Sequence, residues 1–214
     1  MDRKTLSRRI IGIAEDMGRI QQDAIQLEKI DIVSNPTQYT QLTMDIAYKS
    51  EVVVERIRRL VVATTNEGRG SYAQNVAEHL GISVKGSVDE VVEITMPCLL
   101  PTRKKPNTNF LLDPLNVELG MFVLNNRFAR FKDCVICFVH IYDKSTPERK
   151  IRDHDNIEVR DIMNVINAHL LTDDSGLYCD NFSSTELGEE NCTRIYVMAK
   201  DKFPDWVLRH KKAL

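Results

Sequence analysis

From Leu6 to Leu27 the apolar residues return at alternating intervals of four and three: Leu6, Ile10, Ile13, Met17, Ile20, Ala24 and Leu27. That heptad seam, polar elsewhere, predicts a long helix over residues 3–33. Ser34-Asn35-Pro36 ends it, because Pro cannot continue a helix and biases the residue before it away from helical dihedrals. A second helix is predicted over residues 37–65, with Tyr39, Leu42, Ile46, Val53, Ile57 and Leu60 on or near one face. Two long helices joined by a short loop make an antiparallel hairpin. Such a hairpin packs on the rest of its own chain, or its seam takes a second copy or a partner helix. A homodimer is expected, because a seam this long exposes a stripe that one partner helix does not cover.

The pattern changes after Asn66-Glu67-Gly68-Arg69-Gly70. Ser71 is expected to cap a short helix from Tyr72 to Leu80, closed by Gly81. Val76 to Ser83 has the look of the middle of a helix-turn-helix, but Gly86, Val88, Val91, Val92 and Ile94 make a poor recognition helix and a good strand. A strand is predicted from Val88 to Met96, then a loop from Leu99 to Asn109 carrying Arg103, Lys104 and Lys105. Leu115 to Phe122 fits a strand or a short helix. Asn125-Asn126 marks a turn, and Phe131 to Tyr142 is the strongest strand. Leu177 to Asp180 fits a short strand, Asn181 to Asn191 an exposed loop or hairpin tip, and Thr193 to Lys200 a final strand. Phe203, Pro204 and Trp206 anchor the tail. The expected fold is therefore α+β: a helical hairpin segment over residues 1–83, then a small α/β domain with a mixed sheet over residues 84–214.

At 214 residues and 43% hydrophobic the chain can bury a real core. A net charge of −2 gives no global basic field for nucleic acid, so any nucleic-acid contact must be local. No run approaches the roughly 20 apolar residues of a membrane span. Five cysteines, an odd number, and no signal peptide point to a reduced cytoplasmic setting. Cys134-x-x-Cys137 lies inside the apolar run Cys134 to Ile141, where cysteine serves as a small hydrophobe in a buried strand.

The chemistry-bearing stretch is Glu148 to Ser175. Asp153 and Asp155 stand two residues apart. A helix is expected from Asn156 to Ala168, with Asp155 as N-cap and Val159, Met163, Ile166 and Leu170 on its apolar face. Asp173 and Asp174 follow. Caps and turns account for such acids as well as metal binding does. The pattern Arg152-Asp153-His154-Asp155-Asn156, a helix, then Thr172-Asp173-Asp174-Ser175 resembles the RusA family of Holliday junction resolvases over roughly residues 90–200.

That resemblance implies a dimeric, magnesium-dependent endonuclease acting on branched DNA, with manganese as a substitute ion. Asp153, Asp155 and Asp174 would be the metal carboxylates. The family's lysine one turn after the second Asp is Val159 here, so Lys150, Arg152 or Arg160 would supply the cation that stabilises developing charge. Arg103, Lys104, Lys105, Lys150 and Arg152 would hold DNA phosphates. Two alternatives stand beside it: a RusA-like protein without cleavage activity that binds DNA or a protein partner through the hairpin, and an unrelated interaction protein whose heptad hairpin is the working part. One geometric condition decides whether the three carboxylates can meet within one subunit. A helix of this length is about 20 Å long, and six extended residues span at most about 20 Å, so Asp174 returns to Asp153 only if the helix stops near Ala168.

Overall fold

A computed structural model describes residues 2–64, 69–87, 91–103 and 109–212. The chain divides into two compact units, Met1–Arg69 and Gly70–Leu214.

The first unit is the hairpin of α1 (Arg3–Glu28) and α2 (Pro36–Thr64). Asp2 caps α1: it accepts from the Thr5 N–H at 2.9 Å and from the Thr5 hydroxyl at 2.7 Å. The helix stops at Glu28, five residues before the expected end at Val33. Lys29 and Ile30 tighten its last turn by donating to the Gln26 and Leu27 carbonyls, and Asp31 then accepts the N–H groups of Val33 and Ser34 at 2.7 and 2.9 Å. Those donors hold the Asp31 carboxyl below its ordinary pKa.

Only one row of the heptad seam is covered. Ile13 and Val53 are buried, and Leu6, Ile20 and Leu27 are half-buried in the same row as Ile13. The other row is open: Ile10 is 48% and Met17 54% exposed. Two ion pairs close one rim of the interhelical groove, Asp16 with Arg56 and Asp23 with Lys49, the second at 2.6 Å. Asp16 is three residues past Ile13 and Met17 four, so at about 100° per residue they lie on opposite sides of it. Arg56 and Ile57 bracket Val53 in the same way. One rim is therefore ionic and the other apolar.

The second unit is a five-stranded mixed sheet in the order β1 (Ser83–Lys85), β2 (Val92–Met96), β5 (Cys192–Ala199), β3 (Cys134–Asp143), β4 (Cys179–Gly188). All pairings are antiparallel except β3 with β4, which is parallel. Ile136, Phe138, Ile195 and Val197 bury one face with α4 (Asn109–Asn126) and α5 (Arg160–Leu170). Val135, Cys137, Val139, Tyr196 and Met198 bury the other, against Phe182 and the Phe203 and Trp206 of α6 (Phe203–Lys212). β3 is covered on both faces, as its unbroken apolar run requires.

Several expectations change. The helix α3 (Arg69–Leu80) starts at Arg69 rather than after a Ser71 cap. It packs Ala77 and Leu80 into the sheet core, which moves the division between units to Arg69/Gly70 from the expected 83/84. Gly81 ends it with φ +76°, as expected, and the Ile82 N–H reaches back to the Ala77 carbonyl at 2.9 Å. A strand, not a recognition helix, follows. The segment left open at Leu115 to Phe122 is the middle of α4, which tolerates Pro114 because Leu111, Leu115 and Leu119 stay in the core. The polar run from Asn181 is no loop: it is most of β4, a half-exposed edge strand whose backbone pairs with β3 along its whole length.

Candidate functional site

The segment between β3 and α5 crosses the carboxyl ends of the parallel strands, where ligands bind in sheets of this kind. Here the two halves of the motif region part company. On one side, Arg103 donates its N–H to the Asn156 carbonyl at 3.0 Å, and Glu158 donates to the Pro101 carbonyl at 2.8 Å. Arg152 is tied in at both ends, its N–H to the Tyr142 hydroxyl at 3.2 Å and its guanidinium to the Leu100 carbonyl at 2.7 Å. The start of the basic loop is thus set beside Asp153, His154, Asp155 and Asn156. Lys104 and Lys105 lie outside the described residues. Lys150 sits in a 3-10 turn, Glu148–Lys150, and is exposed.

Asp174 is at the other end of the sheet. Thr172 donates to the Phe131 carbonyl at 2.9 Å and Cys134 to the Tyr178 carbonyl at 2.8 Å, which holds residues 172–178 at the amino ends of β3 and β4. His154 Nε2 meets Thr185 Oγ1 at 2.9 Å, and Thr185 is six residues along β4 from Cys179. At about 3.3 Å per residue that places the two acidic groups about 20 Å apart. The cause is topological. The helix α5 is the crossover of a β-α-β unit, so the chain enters it at the carboxyl end of β3 and leaves it at the amino end of β4. It also runs to Leu170, past the limit that Asp174 needed. The three carboxylates expected to share a metal do not converge within one chain. Among the described residues no three His, Cys, Asp or Glu side chains are grouped to hold a metal ion.

Smaller corrections follow from the same geometry. Val159, not Asp155, occupies the N-cap of α5, without a side-chain cap; Asp155 lies in a separate 3-10 turn, His154–Asn156. The helix buries Ile162, Ile166 and Leu170, with Val159 and Met163 only partly buried. Arg160 is 80% exposed in its side chain and lies 3.8 Å from Asp161. Asp173 makes a local turn by accepting the Ser175 N–H at 2.8 Å. Cys134 and Cys137 point to opposite faces of the sheet, one in each core, so they cannot chelate one ion together. Burial pushes the Cys137 thiol up to about 12. Cys134 instead stands opposite Cys179 in the β3–β4 register, and the interaction of the two thiols raises the pKa of Cys134 and lowers that of Cys179.

The sequence reading missed His140. It is 1% exposed on β3, stacks on Phe138 with ring centroids 6.4 Å apart, and lies 5.8 Å from the His154 ring. Neither ring nitrogen has a hydrogen-bond partner among the described residues. Burial, with His154 and Arg152 adding to it, pushes its pKa down to about 4, so it is neutral. A single polar residue within a strand of buried apolar ones was the available signal.

The model of a family described as a family of unknown function, DUF6100, matches residues 2–214. No curated protein matches the chain.

Proposed function

We propose that this chain, which belongs to the DUF6100 family of unknown function, is a non-enzymatic assembly protein whose helical hairpin is the working part. The carrying observation is the exposure of that hairpin. It buries Ile13 and Val53, yet leaves Ile10, Ile11, Met17, Ile25, Tyr48 and Val52 about half exposed. Two helices with so thin a shared core gain little from each other, since helical stability in proteins comes mainly from packing an apolar face. Large apolar side chains in a row on a helix are the mark of a docking surface. The α+β unit is a well-packed scaffold whose acids are set apart.

The magnesium-dependent nuclease reading retains one supporting observation, the gathering of Asp153, Asp155, Arg152 and Arg103 at the carboxyl end of β3. It lacks its third carboxylate within the chain. Two measurements test the proposal. Incubated with a synthetic four-way junction and magnesium or manganese, the protein should leave the DNA intact; cleavage that Asp153→Asn abolishes would overturn the proposal. Met17→Glu and Ile25→Glu should change the thermal stability of the dilute protein by no more than about 0.5 kcal/mol, as at ordinary surface positions. A loss of about 2–5 kcal/mol, as for core side chains, would place these residues in the chain's own core and also overturn it.

A further inference from the structure

The apolar rim of the hairpin runs from Ile10 through Met17 to Ile25 on α1, with Val54 and Ile57 beside it on α2. Those five side chains are between 37% and 54% exposed. The opposite rim is bridged by the Asp16–Arg56 and Asp23–Lys49 pairs, with Tyr48 and Val52 exposed beside them on α2, so the rim through Met17 is the apolar face that both helices share.

Charge says what covers it. The open end of the hairpin, residues 2–14 and 53–64, holds seven Lys or Arg, among them Arg8, Arg9, Arg56 and Arg59, against only Asp2 and Glu55. Those four arginines line a groove of about 300 Å³ floored by Gly12 and Ile13. The loop end, residues 15–52, holds seven Asp or Glu against Arg19, Lys29 and Lys49. The hairpin is thus a rod with a positive end and a negative end. A second rod of the same kind laid side by side in the same direction sets like charges together. Laid in the opposite direction, it sets each basic end against an acidic one.

We infer that the apolar rim is covered by the same rim of a second copy of this chain, packed antiparallel to make a four-helix bundle. This rests on the hairpin being the interaction module, and it names the partner. A closed two-fold pair is the commonest form of self-association, and an isologous contact uses one patch twice. The two-fold axis crosses the rim at its middle. Ile10 and Ile25 lie about 22 Å apart along α1, and their midpoint falls between Met17 and Gly18, within about 1 Å of Met17 along the axis. Met17 therefore meets the Met17 of the other copy, while Ile10 meets Ile25.

The full-length protein should give a dimer mass by light scattering at tens of micromolar. Ile10→Glu and Ile57→Glu each place a charge in the contact twice and should raise the dissociation constant about a hundredfold or more. Salt should weaken the dimer, because opposed ends are drawn together; a parallel pair would be strengthened. Orientation is read by cross-linking. Met17→Cys should form a disulfide between copies, Ile10→Cys alone should not, and a mixture of Ile10→Cys and Ile25→Cys chains should cross-link to each other, each bond mapped by mass spectrometry against the five native cysteines. Self-linking of Ile10→Cys overturns the antiparallel arrangement. A monomer mass at all concentrations, in a protein whose Met17→Glu variant melts unchanged, overturns the second copy as occupant but leaves the hairpin as an interaction surface for another protein. Junction cleavage overturns the non-enzymatic reading and does not bear on the dimer.

Discussion

Asp16 of α1 binds Arg56 of α2 across the hairpin and Arg19 of its own helix at 3.2 Å, one residue from the exposed Met17. This junction closes one rim of the hairpin and leaves the other apolar. Its ions are partly exposed, so the pair is screened and contributes modestly. Asp16→Ala is expected to cost no more than about 1 kcal/mol, and less as salt rises. A double-mutant cycle with Arg56→Ala in chemical denaturation, at low and high salt, checks it.

The separation of the acidic groups makes Asp153 and Asp174 independent. Asp153→Asn and Asp174→Asn should change stability additively, within about 0.5 kcal/mol, with or without magnesium. Magnesium should not raise the melting temperature of any of these proteins. A coupling that appears only with magnesium would show the two carboxylates sharing an ion.

His140 predicts a pH dependence. Its folded pKa of about 4 lies below the ordinary 6.5, so between these values the unfolded chain binds the proton first. The contribution is fully present above about 6.5 and is lost as pH falls toward 4. At about 1.4 kcal/mol per unit, going from neutral pH to pH 5 should cost about 2 kcal/mol through this residue. His140→Phe removes the titration and the two unpartnered nitrogens. Urea unfolding of both proteins at pH 7 and pH 5 should show a smaller loss in the variant.

Gly86 follows β1 with φ +116°, and a Cβ there would stand 2.0 Å from the Val91 carbonyl oxygen. Neither the dihedral nor the backbone oxygen yields cheaply. Gly86→Ala should cost at least about 2 kcal/mol and loosen the β1–β2 pairing. Hydrogen exchange at Val84 and Ile94, which pair across those strands, gives the local readout.

The helices of the hairpin, the strand through Cys134 to Ile141 and the alternating strand at Thr193 to Lys200 were legible because each carries its own period. Helix α4 was ambiguous because Pro114 and Gly120 weaken its local preference while the core it fills is distant in sequence. The strand β4 was hidden for the opposite reason. Its residues are polar, and what makes it a strand is the backbone of β3 beside it.

The sequence by itself determined the break at Pro36, the long hairpin, the strongest strand and the mixed α+β character, because periodicity, Pro and Gly act over a few residues. Tertiary structure alone decided that Asp174 stands at the far end of the sheet and that only one row of the heptad seam is covered. Both depend on which way a crossover helix runs and which face a neighbour occupies. Residue spacing along the chain carries neither, because the same spacing fits a chain that folds back and one that crosses over.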